Sequence, residues 1–423
     1  MTTFTAVIVD PAGLSVLIDS QTGELPICTV DIVPYFARAA EYNAIVFEQI
    51  GIKVSTLQCL TAPGANAPGA FAFRSASDQP DRLTWIPIHT YQPGNGAIRA
   101  YLSGINSRDR DDTIPWNHPD WLPQMQSWID GVLDHVDSVP EQVKSWGISA
   151  VWKVESGQKT HYFKAVPPLF AGEPEITAYL GSLFGEQVPK VEAIDHARHW
   201  MLMSEFAGPL LRDNRKTAIW TSAARQYTQI QMDSIPHIPG LLSAGCANRP
   251  LDGLAADFHS LMAALADEEF RTDSGLSVDE AASVVAQADY VSLLCARLAH
   301  FKLPPTLIHG DLHAGNVVNG VNGFLYFDWT DAAISHPFFD LLTLIGEDWL
   351  KDETEIRDEI LRAYCEPWTN LASTQDLVAA VDIALKLAPA YHAVSYRRIR
   401  DASPPASRWE LGPFMGYYLR QLI

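Results

Sequence analysis

Cysteine is scarce in this chain, and no two cysteines are close enough in sequence to form a C-x-x-C pair. The chain has five cysteines, too scattered for any C-x-x-C motif: Cys28, Cys59, Cys246, Cys295 and Cys365. An odd, dispersed set of thiols does not form a disulfide framework or a cysteine-ligated zinc site. We therefore expect reduced thiols and a cytoplasmic location.

Basic residues are also few. Lysine and arginine number 30 against 50 acidic residues, so the formal net charge is −20 and the pI is near 4.9. This charge balance argues against binding of nucleic acid through a broad basic face. An acidic surface suits cationic ligands, and it also simply keeps a protein in solution.

Long apolar runs are missing as well. No run approaches the ~18 residues of a transmembrane helix. The first five residues lack the basic start and apolar core of a signal peptide. We expect no membrane partner and no secretion.

The length of 423 residues exceeds one ordinary domain. Residues 1–106 predict a small α/β domain, with a hairpin first and then a helix over residues 36–48 that stops at Gly51. Residues 107–123 predict a linker, because a charged run there is followed by three prolines. Residues 124–136 place apolar side chains on one helical stripe, which we interpret as a packing face.

The most informative stretch, residues 306–329, has a polar loop between two apolar runs, then an Asn/Gly-rich turn and a second strand. Asp311 and Asn316 lie on the loop, and Asp328 directly follows the second strand. Because a hairpin brings strand ends together, we expect these three side chains to be close in space.

Phosphoryl transfer needs such a set. One carboxylate accepts the proton of the attacking hydroxyl, while an amide oxygen and a second carboxylate hold magnesium on the triphosphate. The residue types assign the first role to Asp311 and the second to Asn316 and Asp328.

The motif H-x-D-x-x-x-x-N, here His309, Asp311 and Asn316, followed by the strand-terminal Asp328, resembles the catalytic and metal-binding pair of the kinase-like fold. In its full form it is similar to the aminoglycoside phosphotransferase, or phosphotransferase enzyme, family. Protein kinases have arginine where this chain has Gly310. The resemblance implies an α+β, bilobal protein-kinase-like fold, with a small β-rich lobe over residues 124–205 and a large helical lobe over 206–423.

The resemblance also implies a nucleotide site. Lys164 would contact the phosphates, and a lysine between apolar strand residues needs an anionic partner. Glu173 is the first choice for that partner and Glu175 the alternative. Glu205 and Phe206 would meet the purine at the hinge. No Gly-x-Gly-x-x-Gly loop is present, so the sequence does not choose between ATP and another nucleoside triphosphate. Either nucleotide would bind together with Mg²⁺.

Further residues take supporting roles by resemblance. Asp340 would be buried and brace the catalytic loop, and His309 would fix the same loop. Asp331 supports the metal site or caps a turn, and His313 has no assigned role.

The expected activity is transfer of the ATP γ-phosphate to a hydroxyl of a small-molecule acceptor. Alternatives are a sugar or amino-sugar kinase with an N-terminal cap domain, and a nucleotide-binding pseudoenzyme that acts as a scaffold. Acidic residues at 347–355 favour a neutral or cationic acceptor, whereas Arg397, Arg398 and Arg400 would favour an anionic one if they faced the pocket. The C-terminal helices wall that pocket or form an ordinary helix face; their candidate residues are Tyr391, His392, Tyr396, Arg397 and Arg398.

The N-terminal domain resembles a degenerate Nudix hydrolase in its strand and helix order. The metal-binding helix of that family carries several acids, but the matching positions here are Ala44, Ile45, Glu48 and Gln49. One acid is too few to hold magnesium. We interpret residues 1–106 as a non-catalytic cap or a dimerisation module, the latter giving a homodimer.

Overall fold

The computed structural model describes residues 2–63, 68–105 and 114–423. The chain divides into two compact units, Met1–Pro167 with Trp200–Ser204, and Pro168–His199 with Glu205–Ile423. The first unit is rich in strands and the second in helices, which confirms the α+β class. The domain boundaries predicted at residues 106, 123 and 205 stay predictions, and residues 107–113 of the predicted linker lie outside the described residues.

The first unit opens with a six-stranded sheet and two helices. They are β1 (Thr2–Val9), β2 (Ser15–Asp19), β3 (Ile27–Val30), α1 (Ala39–Ile50), β4 (Val54–Thr61), β5 (Gly69–Ser75), β6 (Leu83–Pro87) and α2 (Gly96–Gly104). The strand order is β4-β5-β1-β2-β6 with β3 also paired to β1, and only β1 and β5 run parallel. Successive residues Val7, Ile8 and Val9 are all fully buried, so the central strand β1 is covered on both faces.

Local signals predicted this part well. The expected hairpin is β1–β2, with Val9 opposite Val16. Helix α1 ends at Gly51, whose φ of 85° is the left-handed conformation that glycine adopts at helix ends.

The rest of the first unit is helix α3 (Trp121–Val132) and an antiparallel sheet. The strands are β7 (Glu141–Trp146), β8 (Ser149–Ser156), β9 (Lys159–Ala165) and β11 (Trp200–Ser204). The sequence of residues 146–155 predicts one continuous strand, and this prediction is wrong, because Trp146 pairs with Ser149 and the two residues between them turn the chain. The stripe predicted to residue 136 is also too long, since Leu133 is extended with ψ 138°.

Helix α3 packs on this sheet through aromatic rings. The Trp121 ring lies 6.0 Å from Phe163 and 5.6 Å from Trp200, and the Trp128 ring lies 5.7 Å and 5.9 Å from the same two. The helical stripe is therefore a packing face.

The second unit is mainly helical. Its helices are α4 (Glu173–Phe184), α5 (Thr217–Ser234), α6 (Ile238–Ser243), α7 (Leu251–Ala264), α8 (Glu268–Ser274), α9 (Val278–Val285), α10 (Ala288–Ala299), α11 (Leu341–Leu344), α12 (Thr354–Cys365), α13 (Thr374–Ala402) and α14 (Gly412–Arg420). Its strands are β10 (Val191–Asp195), β12 (Ala247–Asn248), β13 (Thr306–Ile308), β14 (Val317–Gly320), β15 (Gly323–Tyr326) and β16 (Ala333–Ser335). Strands β12, β16 and β13 form one small sheet, and β14 and β15 form a hairpin.

One helix in the described part of the chain, α13, is long and apolar enough to pass a test for a membrane span, with a mean hydropathy of 1.4 over its best window. However, 72% of that window is buried inside the protein. A core helix of a globular unit has the same properties, and α13 contributes Leu387, Ala388 and Tyr391 to the core of the second unit.

Candidate active site

The candidate site is built on the loop between β13 and β14. Strand β13 pairs with β16, and its residues Leu307 and Ile308 are fully buried. His309, the first residue of the loop, therefore directly follows a strand in the core of the second unit.

Asp340 holds the first turn of this loop. Its carboxylate accepts hydrogen bonds from the backbone N–H of His309 at 2.9 Å and of Gly310 at 2.8 Å, and the Tyr227 hydroxyl donates to it as well. Burial raises the pKa of Asp340 to about 6, and these three hydrogen bonds oppose the rise. The carboxylate thus satisfies two buried N–H groups that no strand partner could reach.

Gly310 occupies a place that only glycine fits. Its φ is 81°, and a Cβ here would lie 2.3 Å from the carbonyl oxygen of Asp331. The loop can therefore pass close to the segment that follows Asp328.

His309 ties the loop to the end of β15. Its Nε2 lies 2.9 Å from the Phe327 carbonyl oxygen, and its ring packs on Trp329 with centroids 4.7 Å apart. Since a carbonyl only accepts, Nε2 carries the hydrogen. Nδ1 then faces the N–H of Asp311, at 3.4 Å.

Asp311 and Asn316 lie at the two ends of one tight turn. The Asn316 Nδ2 donates to the Asp311 carbonyl oxygen at 3.0 Å, which points Oδ1 the other way. The Asp311 side chain is 38% exposed, whereas Asn316 is buried. Asp311 can therefore meet a substrate while its backbone stays fixed.

Asp328 is brought beside this turn by the β14–β15 hairpin. Val317 pairs with Tyr326, and the N–H of Phe327 donates to the Asn316 carbonyl at 3.0 Å. Asp328 itself adopts a left-handed conformation with φ 67°, which costs a non-glycine residue of the order of 1 kcal/mol. The three residues predicted to come together lie on adjoining segments.

The donor set of Asn316 and Asp328 fits a magnesium ion that arrives with a nucleotide. Within the described ranges, no group of three or more His, Cys, Asp or Glu residues could hold a metal alone. Mg²⁺ usually takes one or two carboxylates and completes its shell with phosphates and water. An amide oxygen and one carboxylate are hard oxygen donors of the required kind.

Asp331 is a half-buried acid next to the site. Burial raises its pKa to about 7, the charges of Asp311 and Asp328 add to the rise, Arg249 opposes it, and Glu173 raises it further. Glu173 and Arg249 line a small pocket of about 130 Å³ with Asp331. Asp331 thus belongs to one electrostatic cluster with the catalytic loop.

Arg249 joins this cluster to helix α13. Its guanidinium donates to Ser395 Oγ at 2.5 Å and to the Tyr391 carbonyl at 3.2 Å, and it lies 3.8 Å from the centroid of the Tyr391 ring. No sequence motif marked this arginine.

The predicted nucleotide-binding residues lie in both units. Lys164 is on β9 in the first unit and is buried. Glu173 begins α4 in the second unit and is 1% exposed, while Glu175 contacts His196. The pairing of Lys164 with Glu173 stays a prediction.

The predicted hinge residues begin the main part of the second unit. Glu205 is exposed, and the Phe206 ring lies 4.9 Å from the ring of Phe327, which directly precedes Asp328. Further along, Leu210 bridges to Val318 on β14. The segment over residues 205–210 therefore runs along the edge of the β14–β15 hairpin.

Tyr418 on α14 interacts with the charge of Asp311 and stacks on aromatic side chains of α13. Tyr418 stacks on His392 with ring centroids 4.7 Å apart and on Tyr396 at 5.7 Å. Burial raises the pKa of Tyr418, and the negative charges of Asp311 and Asp331 raise it further. We call Tyr396, Tyr418 and His392 the aromatic wall; Tyr396 and His392 were candidates from the sequence, whereas no sequence motif marks Tyr418.

The three arginines near the end of α13 are engaged with α7 and α8. Arg397 donates to Ser260 at 2.9 Å, and Arg398 bonds Asp257 at 2.8 Å. Arg400 bonds Asp273 at 2.6 Å. Arg397 also lies 3.5 Å from the Asp401 carboxylate, so each of the three arginines has an acidic partner, and they give no support to an anionic acceptor.

Comparison with known proteins gave one family and many structures. A profile described as the phosphotransferase enzyme family matches residues 147–377, more than half of the chain. No curated protein sequence matches.

Among solved structures, a choline kinase from Cryptosporidium parvum Iowa II is 13% identical, with a TM-score of 0.51 and coverage of 71% of this chain and 94% of that one. A Plasmodium vivax ethanolamine kinase is 14% identical, with a TM-score of 0.48 and coverage of 79% and 95%. A spectinomycin phosphotransferase in complex with ADP and spectinomycin is 12% identical, with a TM-score of 0.47 and coverage of 70% and 93%. At these identities the first comparison shows a shared fold.

Proposed function

Because this chain belongs to the phosphotransferase enzyme family, we propose that it transfers the γ-phosphate of ATP to a hydroxyl group of a small molecule. The observation that carries the proposal is the convergence of Asp311, Asn316 and Asp328 at the β14–β15 hairpin. A scaffold protein has no need of this set, so its presence favours an enzyme over a pseudoenzyme.

Asp311 is the group that receives the proton. As the acceptor oxygen forms its bond to the γ-phosphorus, the bond from that phosphorus to the β–γ bridging oxygen breaks and ADP leaves. The hydroxyl proton passes to the Asp311 carboxylate, whose partial exposure leaves it open to a substrate.

The remaining residues bind and orient. Asn316 Oδ1 and the Asp328 carboxylate would hold Mg²⁺, which neutralises the charge of the triphosphate when bound. Lys164 would contact the phosphates, Glu173 would orient Lys164, and the backbone of residues 205–206 would meet the purine.

We place a neutral or cationic polyol, such as a sugar, amino sugar or amino alcohol, at the acceptor position. Two observations support this class. Tyr418 of the aromatic wall lies within electrostatic range of Asp311 and Asp331, and ring faces attract cations. The arginines that would favour an anion are bonded to Ser260, Asp257 and Asp273.

An acceptor screen by coupled ATP consumption tests the proposal. We expect turnover with members of an amino alcohol, amino sugar and neutral sugar set, and little with sugar phosphates. The matched control is Asp311→Asn, which keeps the shape but not the proton acceptor, and it should lose about a hundredfold or more in kcat while nucleotide binding by calorimetry is retained.

Near-normal turnover by Asp311→Asn would remove the assigned role. Preference for an anionic acceptor, abolished by Arg397→Ala, would overturn the acceptor class and place that arginine in the pocket.

A further inference from the structure

The His313 ring is held by two hydrogen-bond donors on the same nitrogen. Its Nδ1 accepts from the backbone N–H of Gly315 at 2.9 Å, and it lies 2.9 Å from Nη2 of Arg212. A backbone N–H and a guanidinium can only donate. Nδ1 must therefore carry a lone pair, and the ring hydrogen is on Nε2.

That hydrogen lies on the side of Asp311. Nε2 of His313 is 3.7 Å from Oδ2 of Asp311, longer than a hydrogen bond and within electrostatic contact. A small rotation of the Asp311 carboxylate would close the gap.

Arg212 is seated on the catalytic loop. It lies in the short helical turn Leu211–Asp213, next to the bridge between Leu210 and Val318. A Cβ at Gly315 would lie 1.4 Å from Nη2 of Arg212 and 2.1 Å from its Cζ, so the guanidinium rests directly against the glycine backbone. Gly315, which has no side chain, thus makes room for the Arg212 guanidinium.

We propose that Arg212 and His313 are positioning residues for the phosphoryl transfer: Arg212 fixes the imidazole, and its Nε2–H directs the Asp311 carboxylate towards the acceptor hydroxyl. This inference rests on the proposed function and adds to it. The permanent cation of Arg212 disfavours a second proton on the ring, and the ring N–H stabilises the ionised carboxylate that must receive the proton.

Two isosteric variants of His313 separate this role from simple loop support. The side-chain amide of glutamine can replace Nε2–H, whereas the carbonyl of asparagine can replace the Nδ1 acceptor. If His313 acts on Asp311, His313→Asn should lose about ten- to a hundredfold in kcat with KM for ATP nearly unchanged. His313→Gln should stay within about fivefold of wild type.

The Arg212 contact has its own matched set. Arg212→Met should lower kcat by about tenfold, and Gly315→Ala should do the same because its methyl displaces the guanidinium. Gly315 is not among the glycines with positive φ, so alanine adds no backbone strain. The control is Arg215→Met, since Arg215 lies over the Trp349 ring at 5.5 Å. It should leave kcat unchanged.

A measurement without turnover makes the inference independent of the acceptor. In protein with ¹⁵N-labelled histidine, NMR should show that His313 is the Nε2–H tautomer. In Arg212→Met, the spectrum should instead show a mixture of the two tautomers. A wild type inactive with every acceptor would sink the proposed function and leave this readout intact. Normal kcat in His313→Asn with loss in His313→Gln, or an Nδ1–H tautomer, would overturn the positioning role.

Discussion

Asp340 and Asp328 stabilise the site in opposite ways at the scale of single residues. Asp340 is fully buried, and its carboxylate accepts hydrogen bonds from the backbone N–H groups of His309 and Gly310 and from the Tyr227 hydroxyl. Asp328 keeps a strained left-handed backbone and accepts from the Thr330 hydroxyl at 2.5 Å. The first acid shapes the loop, and the second is the acid to which we assign the metal.

We predict that Asp328→Asn raises the Kd for Mg-ATP by about tenfold or more, because the charge that holds the metal is gone. Asparagine tolerates the left-handed backbone, so folding should be preserved. Isothermal calorimetry measures the Kd for ATP with magnesium and without it, and the difference gives the contribution of the metal. Unchanged Mg-ATP affinity would make Asp328 a structural acid. Asp348→Ala, at an exposed acid paired with Lys351, is the control.

Two glutamines in the first unit show how side chains complete strand edges at the scale of elements. Gln142 on β7 accepts from the Thr56 N–H at 2.8 Å and donates to the Thr56 carbonyl at 2.7 Å. Gln49 on α1 does the same to Thr29 of β3, at 2.9 Å and 2.7 Å. Gln142 and Thr56 are buried, whereas Gln49 and Thr29 are exposed. Gln49 thus makes a structural contact at the exposed edge of β3, and the non-catalytic role of residues 1–106 stays a prediction.

Gln142→Ala should lower the free energy of unfolding of the first unit by about 2–4 kcal/mol, because two buried backbone groups at Thr56 lose their partners. Gln49→Ala should cost less than about 1 kcal/mol, since water replaces the amide at an exposed edge. Amide hydrogen exchange of the segments containing Thr56 and Thr29 reports each site in the intact chain. Equal effects of the two variants would contradict this explanation.

Buried ionisable groups govern the pH response at the scale of the whole molecule. Burial lowers the pKa of His336 and of His392 to about 3, so both are neutral in the folded chain. The unfolded chain binds their protons near pH 6.5, and stability from these two groups is therefore lost as the pH falls below 6.5. Asp331 and Asp340, whose pKa values are raised, act in the opposite direction.

His336→Asn isolates one of these groups. The asparagine oxygen can still accept from the Phe338 N–H, as His336 Nδ1 does. Between pH 6 and 4, the stability of the wild type should fall relative to the variant by about 1.4 kcal/mol per pH unit. Urea unfolding at several pH values measures the difference. The same pH dependence for variant and wild type would show that His336 is not buried neutral. His300→Asn, at an exposed histidine, should behave like the wild type.

Local order was readable from the sequence. His309, Asp311, Asn316 and Asp328 lie within one short stretch, and the Asn/Gly turn between them dictates a hairpin, so their meeting follows from neighbouring residues alone. The spacing of Ser277 and Glu280 is likewise a local signal that predicts a capping box, and the box is present at the start of α9.

Long-range contacts were decided only by the tertiary structure. Tyr227 reaches the backbone of His309 from 82 positions away, Arg212 reaches His313 across 101, and Gln142 reaches Thr56 across 86. Arg249, in the loop between β12 and α7, and Tyr418, on α14, likewise join the site from segments that carry no motif. Each of these side chains has an ordinary local context, and only the packing of helices and strands selects which one fills the space beside the loop. The motif by itself therefore determined the chemistry, while the packed chain determined the residues that hold the motif in place.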